Sequence, residues 1–155
     1  MIDQVGVDVQ WTGDAALLKL EAITRGGYGD RFVAATGGIE YTLYQLLSGN
    51  SDLGLLAEFM IDGRNADAPL TVFDNDVFVG FRWALNDVHD TSMLGGPVID
   101  YETGEMLVLV EATRRLGDDW RFELEARLFA NTAAGAPTSG LKRDGFVTLR
   151  LSRFF

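Results

Sequence analysis

The 155-residue sequence predicts an all-β fold of about eight or nine antiparallel, up-and-down strands. Apolar and polar residues alternate with period two in about nine segments of roughly 10 residues each. Eighteen glycines stand beside only three prolines, together with ten Phe, four Tyr and three Trp, which suits closely packed strands with rings near their ends. No apolar run approaches the roughly 18 residues of a membrane helix, so a helical membrane protein is excluded.

The first five segments share one design, in which every second side chain is apolar and the intervening ones are mostly polar or small. In the first segment, for example, Val5, Val7 and Val9 alternate with Gly6 and Asp8. In a β-strand this period places all the apolar side chains on one face. The apolar positions of these segments fall within residues 5–11, 18–22, 33–43, 53–61 and 77–85.

The later segments continue the alternation, with one weak member. Residues 92–101 contain Pro97, which has no N–H to donate, so we expect an edge strand, a bulge or an irregular element there, and a count of eight strands stays open. Residues 106–112 alternate regularly. Residues 120–128 carry four charges on one face against an unbroken apolar face, which favours a barrel with a wet interior over a soluble sandwich.

The last strand ends in an aromatic residue at the chain terminus. On one face of residues 146–155 lie Val147, Leu149, Leu151 and Phe155. This pattern resembles the terminal strand of a porin-like Gram-negative outer-membrane β-barrel. The resemblance implies an antiparallel up-and-down transmembrane β-barrel in the bacterial outer membrane, in contact with its lipid. It also implies that Leu149, Leu151 and Phe155 form the signal that the barrel-insertion machinery reads.

The connections alternate in length, as such a barrel requires, because its periplasmic turns are short and its extracellular loops are longer. The short set is predicted near residues 12–14, 48–52, 86–90 and 116–119, and the long set at 26–30, 62–74 and 130–144, with a compact exception at 102–105. With Phe155 at the periplasmic side, Trp11, Trp83 and Trp120 are expected to form a girdle at that interface. The expected upper girdle consists of Phe32, Phe59, Tyr101, Phe129 and Phe146.

The strand count bears on domain organisation. Nine strands would be an odd number, whereas single-chain bacterial barrels have even counts with both termini in the periplasm. The first residues also lack the basic start and apolar stretch of a secretory signal. We therefore expect residues 1–155 to form either a single β-barrel domain or the C-terminal portion of a larger one, and no oligomeric state is predicted.

The charged side chains of the strands are predicted to face the interior. Interleaved opposite charges, such as Glu111 and Arg115 beside Arg121 and Glu123, are expected to form a cross-strand lattice that stiffens the wall, with a selective lining as the alternative. Because acidic and basic groups nearly balance on the wall, strong ion selectivity is not expected. The predicted pore-lining residues are Lys19, Glu21, Glu40, Glu58, Arg82, Glu111, Arg115, Arg121, Glu123, Glu125, Arg127 and Arg150.

Several kinds of chemistry find no support in the sequence. The net charge of −10, with scattered basic residues, argues against nucleic-acid binding. The single histidine, His89, falls in a predicted periplasmic turn, so no catalytic residues are assigned and the chain is expected not to be an enzyme. The run Asp74-Asn75-Asp76 lacks the spacing of a calcium loop and is interpreted as a solvated loop, so no metal or cofactor is expected.

The expected function is that of a porin-like channel for the passive passage of small polar solutes. One alternative is a soluble β-barrel that binds a small hydrophobic ligand, which would turn Arg121, Glu123 and Glu125 to solvent and bury the apolar face of residues 120–128. Another is a barrel that anchors or exports something else, since the same wall serves each purpose.

Overall fold

In the computed structural model the chain forms one antiparallel sheet of nine strands. The structure describes residues 1–27, 29–46, 50–65, 68, 71, 74–132 and 139–155. A short 3₁₀ helix, Ser139–Leu141, precedes the last strand. None of the described segments is a helix long and apolar enough to cross a membrane. The strands are β1 (Asp3–Thr12), β2 (Ala16–Gly26), β3 (Phe32–Gln45), β4 (Ser51–Asp62), β5 (Asn75–Ala84), β6 (Ser92–Asp100), β7 (Met106–Leu116), β8 (Trp120–Ala130) and β9 (Phe146–Arg153).

Each strand pairs with the next strand in the sequence, and every pairing is antiparallel. The predicted all-β, up-and-down architecture is confirmed. Within the described part of the chain the sheet is open, because β1 pairs only with β2 and β9 only with β8. Since nine strands alternate in direction, β1 and β9 run the same way, and a direct pairing between them would be parallel.

The sixth strand is better paired than the sequence pattern indicates. β6 pairs with both neighbours, and Pro97 lies opposite Val108 of β7. Its pairing with β5 is interrupted between Phe78 and Phe81, so the missing proline N–H falls in a gap of that ladder. This agrees with the expectation of an irregular element, and it gives nine strands rather than eight.

Directly opposed residues of antiparallel strands share a face, so the register assigns every strand residue to one side of the sheet. The apolar face carries the odd-numbered residues of β1, β3, β4, β5, β6 and β9 and the even-numbered residues of β2, β7 and β8. The intervening positions form the polar face. The alternating apolar sets that the sequence indicates lie on the apolar face wherever their residues belong to a strand, for example Val9 opposite Leu20 of β2.

The apolar face is exposed. Val5 retains 68% of its accessible surface and Leu149 65%, and no large side chain among the described residues is fully buried. In the part of the chain that the structure describes, the buried hydrophobic residues are Phe32, Leu56, Ala68 and Val98. The described residues therefore form a single layer, without the second layer that gives a sandwich its core.

The connections lie at two opposite ends of the sheet. We call these the short-turn end, with connections at residues 13–15, 46–50, 85–91 and 117–119, and the long-loop end, with connections at 27–31, 63–74, 101–105 and 131–145. The connection at 27–31 is no longer than that at 46–50, and it fits the longer or more irregular set only by its backbone, with positive φ at Gly27 and Gly29. The alternation in length therefore rests on the connections at 63–74 and 131–145. Residues 47–49 and parts of 63–74 and 131–145 lie outside the described residues.

The aromatic rings are distributed differently at the two ends. Trp11, Trp83 and Trp120 lie on the apolar face at the short-turn end, as the sequence predicts. At the long-loop end the prediction is wrong for three rings, because Phe32, Phe129 and Phe146 lie opposite Arg25, Leu107 and Arg127 on the polar face. Only Phe59 and Tyr101 of the expected upper girdle remain compatible with the apolar side.

Candidate functional site

The polar face carries all twelve residues that the sequence predicts as a lining. The register connects them through directly opposed pairs, such as Lys19 opposite Gly38 and Gly38 opposite Glu58. Further along the sheet, Glu123 lies opposite both Thr113 and Arg150. The structure therefore places all twelve residues on the same side of the sheet. That they line a passage stays a prediction.

Two ion pairs on this face reach across an intervening strand. Lys19 Nζ of β2 lies 3.6 Å from Glu58 Oε1 of β4, over Gly38 of β3. A Cβ atom on Gly38 would lie 2.7 Å from Glu58 Cγ, so the glutamate side chain occupies the space that the glycine leaves. Because Gly38 has no side chain, two charged residues that lie on strands separated by β3 can form an ion pair.

The second such pair joins β3 and β5. Arg82 Nη1 lies 3.4 Å from Glu40 Oε1, and Gly54 of the intervening β4 lies directly opposite Arg82. A Cβ atom on Gly54 would approach Glu40 Oε1 to 2.9 Å. Glycines within these strands therefore serve cross-sheet ion pairing as well as close backbone packing.

Strands β8 and β9 carry a denser charge cluster. The Glu123 carboxylate lies between two guanidinium groups, 3.6 Å from Arg121 Nε and 3.8 Å from Arg150 Nη1. Arg127 Nη2 lies 3.0 Å from Glu125 Oε1, and Arg121 Nε donates a hydrogen bond of 2.9 Å to the Thr113 hydroxyl. This part of the predicted lattice is present. Its ion pairs are partly exposed and join neighbouring polar-face positions of β8 and β9.

The lattice does not include two residues that were expected in it. Glu111 lies directly opposite Glu125, and Arg115 directly opposite Arg121, so each faces a like charge. Among the described residues, neither Glu111 nor Arg115 has an ion-pair partner within 4.0 Å. The expectation that Glu111 and Arg115 would lie among opposite charges is therefore wrong. The β7–β8 register places the acidic residue of one strand opposite an acidic residue of the other, and the basic residue opposite a basic one.

A cleft of about 530 Å³ lies on the polar face between β5 and β9. Since it spans five neighbouring strands, the polar face is concave there and the apolar face is on the convex side. Its wall offers guanidinium and carboxylate groups together with hydroxyls, which suits transient hydrogen bonding with small polar solutes. The lining includes Arg82, Ser92, Leu94, Glu111, Thr113, Arg121, Glu123, Glu125, Arg127, Thr148 and Arg150.

The polar face also has apolar members that the sequence analysis did not single out. Leu56 and Val98 are buried on this face, and the Phe78 ring lies over Gly80 and Gly96. Other members are Leu94, Leu107 and Leu109. Runs such as residues 53–57 and 106–110 are apolar at nearly every position, so they show no alternation between apolar and polar residues. Counting every second residue along the strand would nevertheless have assigned half of these apolar side chains to the polar face.

The single histidine lies outside this cleft. His89 belongs to the connection at 85–91, where its carbonyl oxygen accepts a hydrogen bond of 2.7 Å from the Arg115 N–H. The residues that line the cleft therefore do not include a histidine that could act as a general base. The expectation that the chain is not an enzyme stays a prediction.

The acidic run at the start of β5 differs from the solvated loop that was expected. Asp76 is the second residue of the strand and only 4% exposed, and its carboxylate accepts a hydrogen bond of 2.9 Å from the Asp74 N–H. The expectation is therefore wrong for Asp76. Within the described ranges no group of three or more His, Cys, Asp or Glu side chains is arranged to hold a metal ion.

The C-terminal strand lies at one edge of the sheet. Leu149 and Leu151 lie opposite Leu124 and Phe122 of β8 on the apolar face, and both are exposed. Phe155 follows the strand and is fully exposed, with the Arg153 guanidinium carbon 5.3 Å from its ring centroid. The three residues of the predicted insertion signal are thus accessible.

Comparison with known proteins adds no assignment. No protein-family model, no curated protein and no solved structure matches this chain.

Proposed function

We propose that the nine-stranded sheet is part of the wall of an outer-membrane β-barrel, and that its polar face lines a passage for small polar solutes. The observation that carries the proposal is the apolar face, which extends from β1 to β9 and is most exposed on the outer strands, for example at Val5 and Leu149. A soluble protein rarely exposes a contiguous apolar patch of more than a few hundred Å². In contact with the hydrocarbon of a bilayer, the same face would not expose apolar surface to water.

The dimensions and the ends of the sheet support this location. The strands contain 8 to 14 residues, which brackets the roughly 9 to 11 that a tilted strand needs to span a bilayer. Trp11, Trp83 and Trp120 lie at one end of the apolar face, where an interfacial girdle would be. Arg114 and Arg153 share that end, where an arginine costs only about 0 to 1 kcal/mol.

The concave polar face supports passage of small polar solutes. It would turn the twelve predicted lining residues toward the interior, together with the hydroxyls of Thr113 and Thr148. Several of these charges already neutralise one another in ion pairs, so the wall would be hydrophilic without a strong preference for one sign of charge. Closure of the wall would need an odd number of further antiparallel strands, because β1 and β9 run in the same direction.

The C-terminal strand would be the contact for the barrel-insertion machinery. The supporting observation is that Leu149, Leu151 and Phe155 are exposed along a strand whose outer edge has no partner among the described residues. An unpaired edge can accept another strand by β-augmentation. This part of the proposal concerns assembly and is independent of the solute.

The experiment that tests the proposal compares the chain in water and in detergent. We expect a chain that is insoluble alone, refolds in micelles to a β-rich state, and migrates differently on a gel when unheated and boiled. Reconstitution into a planar bilayer then tests passage: discrete conductance steps are expected for a channel, and a folded but silent protein would favour an anchoring or export barrel. A soluble, monomeric, cooperatively folding product would reject the membrane location and favour a soluble ligand-binding barrel.

A further inference from the structure

The apolar face carries two arginines at its short-turn end. Among the strand residues that the structure describes, the charged side chains on this face are Asp3 at the long-loop end and Arg114 and Arg153 at the short-turn end. Asp3 is paired with Arg31. The two arginines therefore form the only basic group on this otherwise apolar surface of the described strands.

The two arginines flank the rings of β8. Arg153 lies directly opposite Trp120, and Arg114 lies directly opposite Phe122. The Arg153 guanidinium carbon is 5.5 Å from the centroid of Trp120, and within the described ranges it has no carboxylate partner within 4.0 Å. A cation held over an indole keeps its N–H groups available at the edges for an acceptor.

A carboxylate lies next to Arg114. Arg114 Nη1 is 3.9 Å from Asp87 Oδ2, in the connection at 85–91. The hydrogen bond from the Thr91 N–H, with that from the Thr91 hydroxyl, holds the pKa of Asp87 below its ordinary value, so this carboxylate stays charged. Across this end of the sheet, the order is therefore carboxylate (Asp87), guanidinium (Arg114), the rings of β8, and guanidinium (Arg153).

We propose that Arg114, Trp120 and Arg153 bind the phosphate of a phosphoethanolamine lipid head group, whose ammonium group donates hydrogen bonds to Asp87. The inference rests on the proposed membrane location. The phosphate matches the guanidinium groups, and the indole ring lies at the level where lipid head groups begin. A phosphoglycerol head group has no cation for Asp87, and the quaternary ammonium of phosphocholine has no N–H to donate, so the charge order selects phosphoethanolamine.

The test is native mass spectrometry of the refolded full chain, released from micelles that contain equal amounts of phosphatidylethanolamine, phosphatidylglycerol and phosphatidylcholine. We expect retention of phosphatidylethanolamine in preference to the other two. Arg114→Gln and Arg153→Gln should each weaken retention severalfold, because each removes a charge-assisted hydrogen-bond donor to the phosphate. Asp87→Asn should reduce the preference over phosphatidylcholine, because a neutral amide oxygen accepts a hydrogen bond from an ammonium group more weakly than a carboxylate does, while phosphate binding persists.

Arg143→Gln is the matched control, because Arg143 is an exposed arginine of the connection at 131–145, at the opposite end. It should retain lipid like the wild type. Equal retention of the three lipids, or retention unchanged in both arginine variants, would overturn the site while a heat-modifiable fold leaves the membrane proposal intact. A chain that never folds in micelles would reject both proposals together.

Discussion

Lys19 Nζ lies 3.6 Å from Glu58 Oε1 although a complete strand, β3, separates the two residues. The contact exists because Gly38, the β3 residue between them, has no side chain. Polar-face charges are therefore joined across two strand spacings, and the glycine positions decide which charges can meet.

This geometry predicts that Gly38 controls the coupling between Lys19 and Glu58. In the wild-type background, a double-mutant cycle of Lys19→Met and Glu58→Gln should give a coupling of about 0.2 to 1 kcal/mol, because both side chains are more than a third exposed. In a Gly38→Leu background the coupling should vanish, since the leucine would occupy the space between the charges. Equilibrium unfolding in urea measures both cycles. An undiminished coupling in the leucine background would show that the ions meet by another route.

Gly96 should be among the least replaceable glycines of the sheet. A Cβ atom there would lie 2.2 Å from the Val79 carbonyl oxygen and 2.6 Å from Gly80 Cα, both backbone atoms that a rotamer change cannot move. We expect Gly96→Ala to lower the free energy of unfolding by about 1 to 3 kcal/mol. Gly140→Ala is the control, because nothing lies within 4 Å of its Cβ position. Similar urea midpoints for the two variants would contradict the close approach of β5 and β6.

A charge on the apolar face should block membrane insertion. Leu124 lies in the middle of β8, between Ala112 and Leu149 on neighbouring strands. If this face meets hydrocarbon, Leu124→Arg should cost about 2 to 4 kcal/mol, whereas Glu123→Ala on the polar face should leave refolding nearly unchanged. Refolding yields in lipid vesicles measure the difference. A Leu124→Arg protein that inserts as well as the wild type would mean that the two faces have been assigned the wrong way round.

The connection at 85–91 should make stability depend on acid. The hydrogen bond from the Thr91 N–H, strengthened by the Thr91 hydroxyl and by Arg114, lowers the pKa of Asp87. A carboxyl with a lowered pKa binds fewer protons in the folded than in the unfolded state, so its stabilising effect is complete above its unfolded pKa and is lost as the pH falls through the folded one. The effect should therefore be complete above about pH 4 and should diminish progressively as the pH falls further.

Urea midpoints measured between neutral and strongly acidic pH, for the wild type and Asp87→Asn, test this expectation. The variant should lose part of the acid dependence. Asp118→Asn is the control and should show the acid dependence of the wild type. Within the described part of the chain, the Asp118 carboxylate takes part in no side-chain hydrogen bond or ion pair. An identical pH profile for wild type and Asp87→Asn would contradict the expectation.

The terminal aromatic residue should affect assembly in cells more than folding in micelles. Phe155 is fully exposed beyond β9, so its removal leaves the strand ladder unchanged. If the insertion machinery reads this residue, Phe155→Ala should reduce the amount of protein assembled in the outer membrane, with unchanged refolding in detergent. Phe154→Ala, which alters the neighbouring ring, is the control. Equal assembly of both variants would argue against a role for the terminal residue.

Much of the candidate site follows from strand parity. Lys19, Glu58 and Arg150 fall on the polar face simply because successive side chains of a strand point to opposite sides. The expected upper girdle disregarded this parity, because Phe32 and Phe146 are out of phase with Val33 and Val147 and lie on the polar face. Their position near a strand end, on which that expectation rested, does not decide the face of a ring.

The sequence by itself determined eight clear strands and a weaker sixth segment, their up-and-down order and the two contrasting faces, because period-two alternation and turn residues are local properties of the chain. Only the tertiary structure decided which charges meet. Register sets Glu111 opposite Glu125, and the absence of a side chain at Gly38 lets Lys19 reach Glu58. These relationships join residues of different strands, and a shift of one strand by two residues would preserve every face while changing every partner.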